Sequence, residues 1–147
     1  MCGADAANRR YFRTGRTVLL ASSALYLASA LPAAAQDATW RSAPGSGDYN
    51  TAANWTPTAV PTGTASFGTT TGPAVTFSSD TTVGGWTFNA GASNYSFSNS
   101  QSLSFTGAGI DIQGGSAAIT NNSGGSLTFN NTSTAGSAAI TNTSGST

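Results

Sequence analysis

The sequence predicts an all-β protein: a short right-handed parallel β-helix, or solenoid, of three to four rungs of about 21 residues each, after a cleaved signal peptide. Three features predict it. Residues 115–120 read GSAAIT and residues 136–141 read GSAAIT again, 21 residues later; NNSG at 121–124 nearly returns as NTSG at 142–145. A fixed period of this size marks a stacked repeat, whose single unit cannot bury its apolar side alone. From residue 73 onward, short runs alternate an apolar residue with Ser or Thr, which puts one face in and one face out. Finally, the chain is rich in Gly, Ser, Thr and Asn, all poor helix formers, and no i, i+3, i+4 apolar stripe follows residue 36. A β-sandwich is the rival, since strands spaced by 8–12 residues suit it too. Partial disorder is the third option for a Gly/Ser-rich chain. The self-match favours the solenoid, and regular placement of Phe, Leu, Ile and Trp argues against a fully flexible coil.

Residues 1–35 read as a secretory signal peptide. Four of the five Arg lie before residue 17, residues 17–31 (TVLLASSALYLASAL) are mainly apolar, and small side chains follow at Ala33 and Ala35. Basic start, apolar core and A-x-A site together predict cleavage between Ala35 and Gln36. The core is shorter than the roughly 20 apolar residues of a bilayer span. Arg9 and Arg10 also suit a twin-Arg signal, though paired Arg are common in ordinary basic starts. Either route takes the mature chain out of the cytoplasm, with the export machinery as its first partner.

Residues 36–72 form a Trp-containing head. Trp40, Tyr49 and Trp55 punctuate a stretch holding Pro44, Pro57 and Pro61, and the Pro-Gly and Gly-Asp pairs at 44–45 and 47–48 signal turns. Such a head is expected to cap the first rung, because open solenoid ends need protection. The same three aromatics offer an alternative, a sugar-stacking platform with apolar faces and wet edges.

Residues 73–147 then supply the rungs. Apolar-polar segments fall at 74–77, 86–88, 95–97, 102–105, 110–112, 117–120, 126–129 and 138–141. They predict two or three strands per rung, with neighbouring rungs about 4.8 Å apart. Three to four rungs are near the minimum for stability, and an uncapped last rung would expose a free edge. Edge-to-edge self-association is the corresponding expectation.

Composition narrows the chemistry. From residue 36 on there is no His, Cys, Lys or Glu, and Arg41 stands alone against Asp37, Asp48, Asp80 and Asp111, a net charge of −3. No Ser-His or Cys-His pair and no His or Cys metal cluster can be assembled. A basic footprint for nucleic acid is excluded. Asp80 and Asp111 are the only pair worth weighing as glycosidase carboxylates, and turn residues are the simpler reading. Residues 107–112 (GAGIDI) match a calcium-binding nonapeptide only in part and only once. N-x-S/T matches include those at Asn54, Asn94, Asn130 and Asn142; stacked Asn ladders are the better reading of them. No catalytic residue, metal or cofactor is expected.

The stretch GDYNTAANWTPTAVPTGTASFG (47–68), followed by VGGWTFNAG (83–91) and the Gly/Ser/Thr/Asn repeats, resembles the N-terminal passenger region of bacterial autotransporters of the outer-membrane β-barrel type. The similarity runs over nearly all of residues 36–147. It implies an extended β-helix secreted or displayed at the outer membrane of a Gram-negative bacterium, after passage through the periplasm. No run of long barrel strands is present in this sequence. The expected function is that of a structural, adhesin-like passenger fragment without catalysis, its partners being extracellular polysaccharide or another cell's surface. The alternative is a carbohydrate-binding module built on Trp40, Tyr49 and Trp55.

Overall fold

Alternation of apolar and hydroxyl side chains becomes a ladder of short strands in the computed structural model, which describes residues 34–147. Residues 1–33, and with them Ala33 of the expected cleavage site, lie outside the described residues. The strands are β1 (Ala38–Trp40), β2 (Trp55–Thr56), β3 (Thr64–Phe67), β4 (Ala74–Thr76), β5 (Thr81–Phe88), β6 (Asn94–Asn99), β7 (Ser102–Ile112), β8 (Ser116–Asn121), β9 (Ser126–Phe129) and β10 (Ala139–Asn142). One 3-10 turn, Ala52–Asn54, precedes β2.

These strands build a β-solenoid of about four turns. Odd-numbered strands from β3 onward stack in one sheet, in the order β2-β1-β3-β5-β7-β9, and the even-numbered ones in a second, β10-β8-β6-β4. Each turn therefore contributes one strand to each sheet, and every pairing between turns is parallel. The repeat read from the sequence sets the register of the last turn: Ala139, Ile140 and Thr141 lie opposite Ala118, Ile119 and Thr120.

Two features differ from expectation. The turn length is not a constant 21: Ala74 pairs with Ser96 and Ser102 with Ser126, offsets of 22 and 24 residues. The stack also begins before residue 73, because β3 in the expected head already pairs in parallel with β5. Its segment, Thr64–Phe67, lies inside the stretch expected to cap the first rung. Segments 102–105 and 110–112 meanwhile fuse into one strand, β7, whose register against β5 shifts between Val83 and Gly85. That bulge absorbs the extra residues of the longer turn.

A column of glycines makes the bulge possible. A Cβ on Gly84 would sit 2.9 Å from the Gly63 carbonyl oxygen, and one on Gly107 would sit 2.7 Å from that of Gly84. Backbones approach too closely there for any side chain.

The core lies between the sheets and is mostly aromatic. Phe67 stacks on Phe88 of the next turn (centroids 4.8 Å, 12° between planes), and Phe105 stacks on Phe129 (4.9 Å, 5°). Across the core, Trp86 of one sheet lies 4.3 Å from Phe97 of the other. Burial of each such ring is worth about 1.5–3 kcal/mol, with offset or edge-on pairs adding about 0.5–1.5 kcal/mol. With no disulfide available after residue 35, this stack and the backbone ladders carry the stability.

Candidate functional site

The head aromatics close the first end of this core. Trp40 sits edge-on to Trp55 (centroids 4.9 Å), Trp55 edge-on to Tyr49 (4.8 Å), and Tyr49 stacks on Phe77 (5.1 Å). All three are buried, at 2%, 0% and 0% relative exposure. Their polar atoms are satisfied internally: Trp40 Nε1 donates to the Gly72 carbonyl (3.2 Å), Trp55 Nε1 to the Tyr49 carbonyl (2.7 Å), and Trp86 Nε1 to the Tyr49 hydroxyl (3.3 Å). Burial pushes the Tyr49 hydroxyl pKa well above its ordinary value, so the ring stays neutral. A sugar-stacking platform needs an exposed ring face, and none of Trp40, Tyr49 or Trp55 presents one. The residues expected to serve that alternative are core residues, because a turn with an open end must fill its own interior.

β2 adds to this closure by pairing antiparallel with β1, so the first strand of the parallel stack is covered by one of opposite sense. Asp48 ties the head to the next turn. Its Oδ1 accepts the backbone N–H groups of Asn50 (3.1 Å) and Ser78 (3.2 Å), and its Oδ2 the hydroxyls of Thr51 (2.8 Å) and Ser78 (3.0 Å). Burial alone would raise the carboxyl's pKa; the bonds from Thr51, Asn50 and Ser78 together outweigh it and hold the group below the ordinary carboxylate range.

Asp80 and Asp111, the pair weighed as carboxylates, are each engaged by a different neighbour. Asp80 accepts the Ser102 N–H (2.9 Å) at the start of β7, while Asp111 lies near that strand's far end, where Gln113 Nε2 donates to it (2.8 Å). Asp111 lines one of the depressions described below and Asp80 lines neither. Residues 107–112 are an edge of the bulge: Gly109 (φ 86°) forms a bridge to Thr134. Among the described residues no three His, Cys, Asp or Glu side chains gather closely enough to hold a metal ion.

Two shallow depressions mark the outer surface. One of about 410 Å³ lies beside β1 and β2, where Thr39, Arg41, Ser42 and Thr56 meet; Arg41 Nε donates to the Thr56 hydroxyl at 3.4 Å. The other, about 260 Å³, follows the Gly63–Gly84–Gly107 column between Asp37 and Asp111.

The expected Asn ladder exists and runs through Asn99, Asn121 and Asn142, of which only Asn142 is among the four positions named from the sequence. Asn99 and Asn121 are fully buried and in register, and Asn99 Nδ2 donates to Asn121 Oδ1 (2.9 Å). Asn99 Nδ2 also reaches the carbonyls of Gln101 and Ser126, and Asn121 Nδ2 those of Gly125 and Thr147. Asn142 continues the register beside Asn121. The sequence carried the signal, an Asn after Ser or Thr at 99, 121 and 142. Asn54 is buried among bonds to Ser46 and the Asp48 carbonyl, Asn94 accepts from Ser116, and Asn130 bonds to Ser104 and Phe105.

No family model, curated protein or solved structure matches the chain.

Proposed function

We propose that the chain is an exported, structural, adhesin-like passenger segment that acts through its polar outer surface and not through a catalytic pocket. One observation carries this reading: the solenoid interior is filled by its own rings, every buried side-chain polar atom among the described residues has a partner, and outward positions carry mainly hydroxyl and amide groups. Such a body supplies length, rigidity and a long row of weak hydrogen-bonding groups. Multivalent contact along a row of this kind gives useful attachment without any strong single site. The resemblance to autotransporter passengers and the signal-like start support export to the cell surface.

The test expresses the full chain in a Gram-negative host and follows its location and its effect on adherence. Accessibility to antibody on intact cells or release into the medium, with increased adherence to glycan-coated surfaces or to other cells, is the expected result. Retention in the cytoplasm with residues 1–35 still attached would remove this reading.

A further inference from the structure

Gln36 is the first described residue that the solenoid holds by hydrogen bonds. Its N–H donates to the Thr62 hydroxyl (3.0 Å), and its carbonyl accepts the N–H groups of Thr62 (3.0 Å) and Gly63 (2.9 Å). Asp37 extends the attachment by accepting the Thr64 N–H at 2.6 Å. Ala34 and Ala35 are exposed and outside any strand. The fold thus takes hold of the chain on the C-terminal side of the 35–36 bond, the bond at which the A-x-A pattern places cleavage. These are independent observations, one from hydrogen bonding and one from side-chain size, and they meet at one residue.

We infer that Gln36 is the N-terminal residue of the exported product and is a modification site, where its side chain closes on its own α-amine to give pyroglutamate. This rests on the export reading above. The α-amine lone pair attacks the side-chain amide carbon, a bond forms between N and Cδ, and the Cδ–Nε2 bond breaks. One amine proton passes to the departing nitrogen, which leaves as ammonia, so no oxidant or co-reactant is consumed. Both reacting groups belong to one residue, which gives the ring closure the advantage of an intramolecular reaction. An α-amino pKa of about 7.7–8.0 leaves part of the amine neutral and nucleophilic near neutral pH.

The docked geometry accepts the product. The Gln36 carbonyl that accepts from Thr62 and Gly63 takes no part in the closure, so both of these bonds persist, while the ring carbon takes the place of the N–H that faced Thr62. The Gln36 side chain is exposed, so the new ring meets solvent and not the core. Cyclisation also removes the positive charge of the α-amine.

Intact mass and stepwise N-terminal degradation of the product exported from the full 147-residue chain test this directly. The expected product has the mass of residues 36–147 less one ammonia and is closed to degradation. A Gln36→Ser variant should show no ammonia loss and should become open to degradation, which then reads on into Asp37, Ala38 and Thr39. A product that begins at Gln36 with a free amine would overturn the modification while leaving export intact. A product beginning at another residue, or retaining residues 1–35, would overturn the modification and the cleavage site together, and the mass separates these cases.

Discussion

At the residue scale, the most demanding positions are buried amides and one carboxylate. Asn99 sits where its Nδ2 faces three oxygens, those of Gln101, Ser126 and Asn121. Asn99→Ala leaves these acceptors without their donor and should cost about 1–3 kcal/mol in denaturant unfolding. Asn99→Asp should cost more, because a carboxylate there opposes the same oxygens in a buried site. Burial raises that carboxyl's folded-state pKa, so the Asp variant should recover stability relative to wild type as pH falls from about 7 to about 4. An Asp variant as stable as wild type near pH 7 would show that the ladder is not held as described. Asp48 has the opposite sign. Its folded-state pKa is depressed, so its contribution is present above the unfolded value of about 3.9 and is lost as pH falls through the folded one. Acid titrations of wild type and Asp48→Asn should therefore run parallel, offset by this contribution, above that region and approach each other below it, with the variant showing the shallower loss.

At the element scale, strands were legible where alternation was clean and hidden where turn residues crowded them. Tyr95-Ser96-Phe97 and Ser126-Leu127-Thr128-Phe129 read as strands at sight, and they are β6 and β9. β1 and β3 fall within residues 36–72, the stretch expected to be a capping head, where Pro61, Gly63 and Gly68 surround the four-residue run of β3. Burial decides between the cap and the sugar platform for Trp40, and burial depends on where the neighbouring turn places its rings, which no local pattern records. The 21-residue self-match set the register of β10 on β8 but not the longer offset at β7, since a bulge is a local backbone event. It is testable at Gly107, whose added Cβ would meet the Gly84 carbonyl at 2.7 Å. The three nearest atoms are all Gly84 backbone, which leaves no flexible group to yield, so Gly107→Ala should lower the thermal midpoint by several degrees, a shift of about 4–8 °C for each 1 kcal/mol in a domain near 100 residues. An unchanged midpoint would mean the ladder opens there without cost.

At the scale of the whole molecule, stability is a sum over nearest neighbours along the stack. β3, β5 and β7 have strands on both sides and enclose most of the rings, whereas all four residues of β10 are exposed, Ile140 at 38% among them. Hydrogen exchange of this chain should accordingly be graded, slowest in β5 and β6 and fastest in β10, because local opening follows contact density. Uniform protection across the four turns would contradict such additivity. The sequence made this layered design readable through its repeat, but not how the first turn is finished. That finish combines a two-residue antiparallel strand, an Asp with four hydrogen bonds and three interlocked rings, features that arise from residues far apart in the chain.

The scarcity of cations on the outer face bears on survival among digestive enzymes. Trypsin-like proteases cut after Lys or Arg, and from residue 36 onward Arg41 is the single such residue. A cut there severs only the six residues 36–41, leaving every later strand of the stack covalently continuous. β1 would still be pinned by its pairing with β2 and β3. From residue 36 onward the chain thus offers that whole protease class one bond to cut.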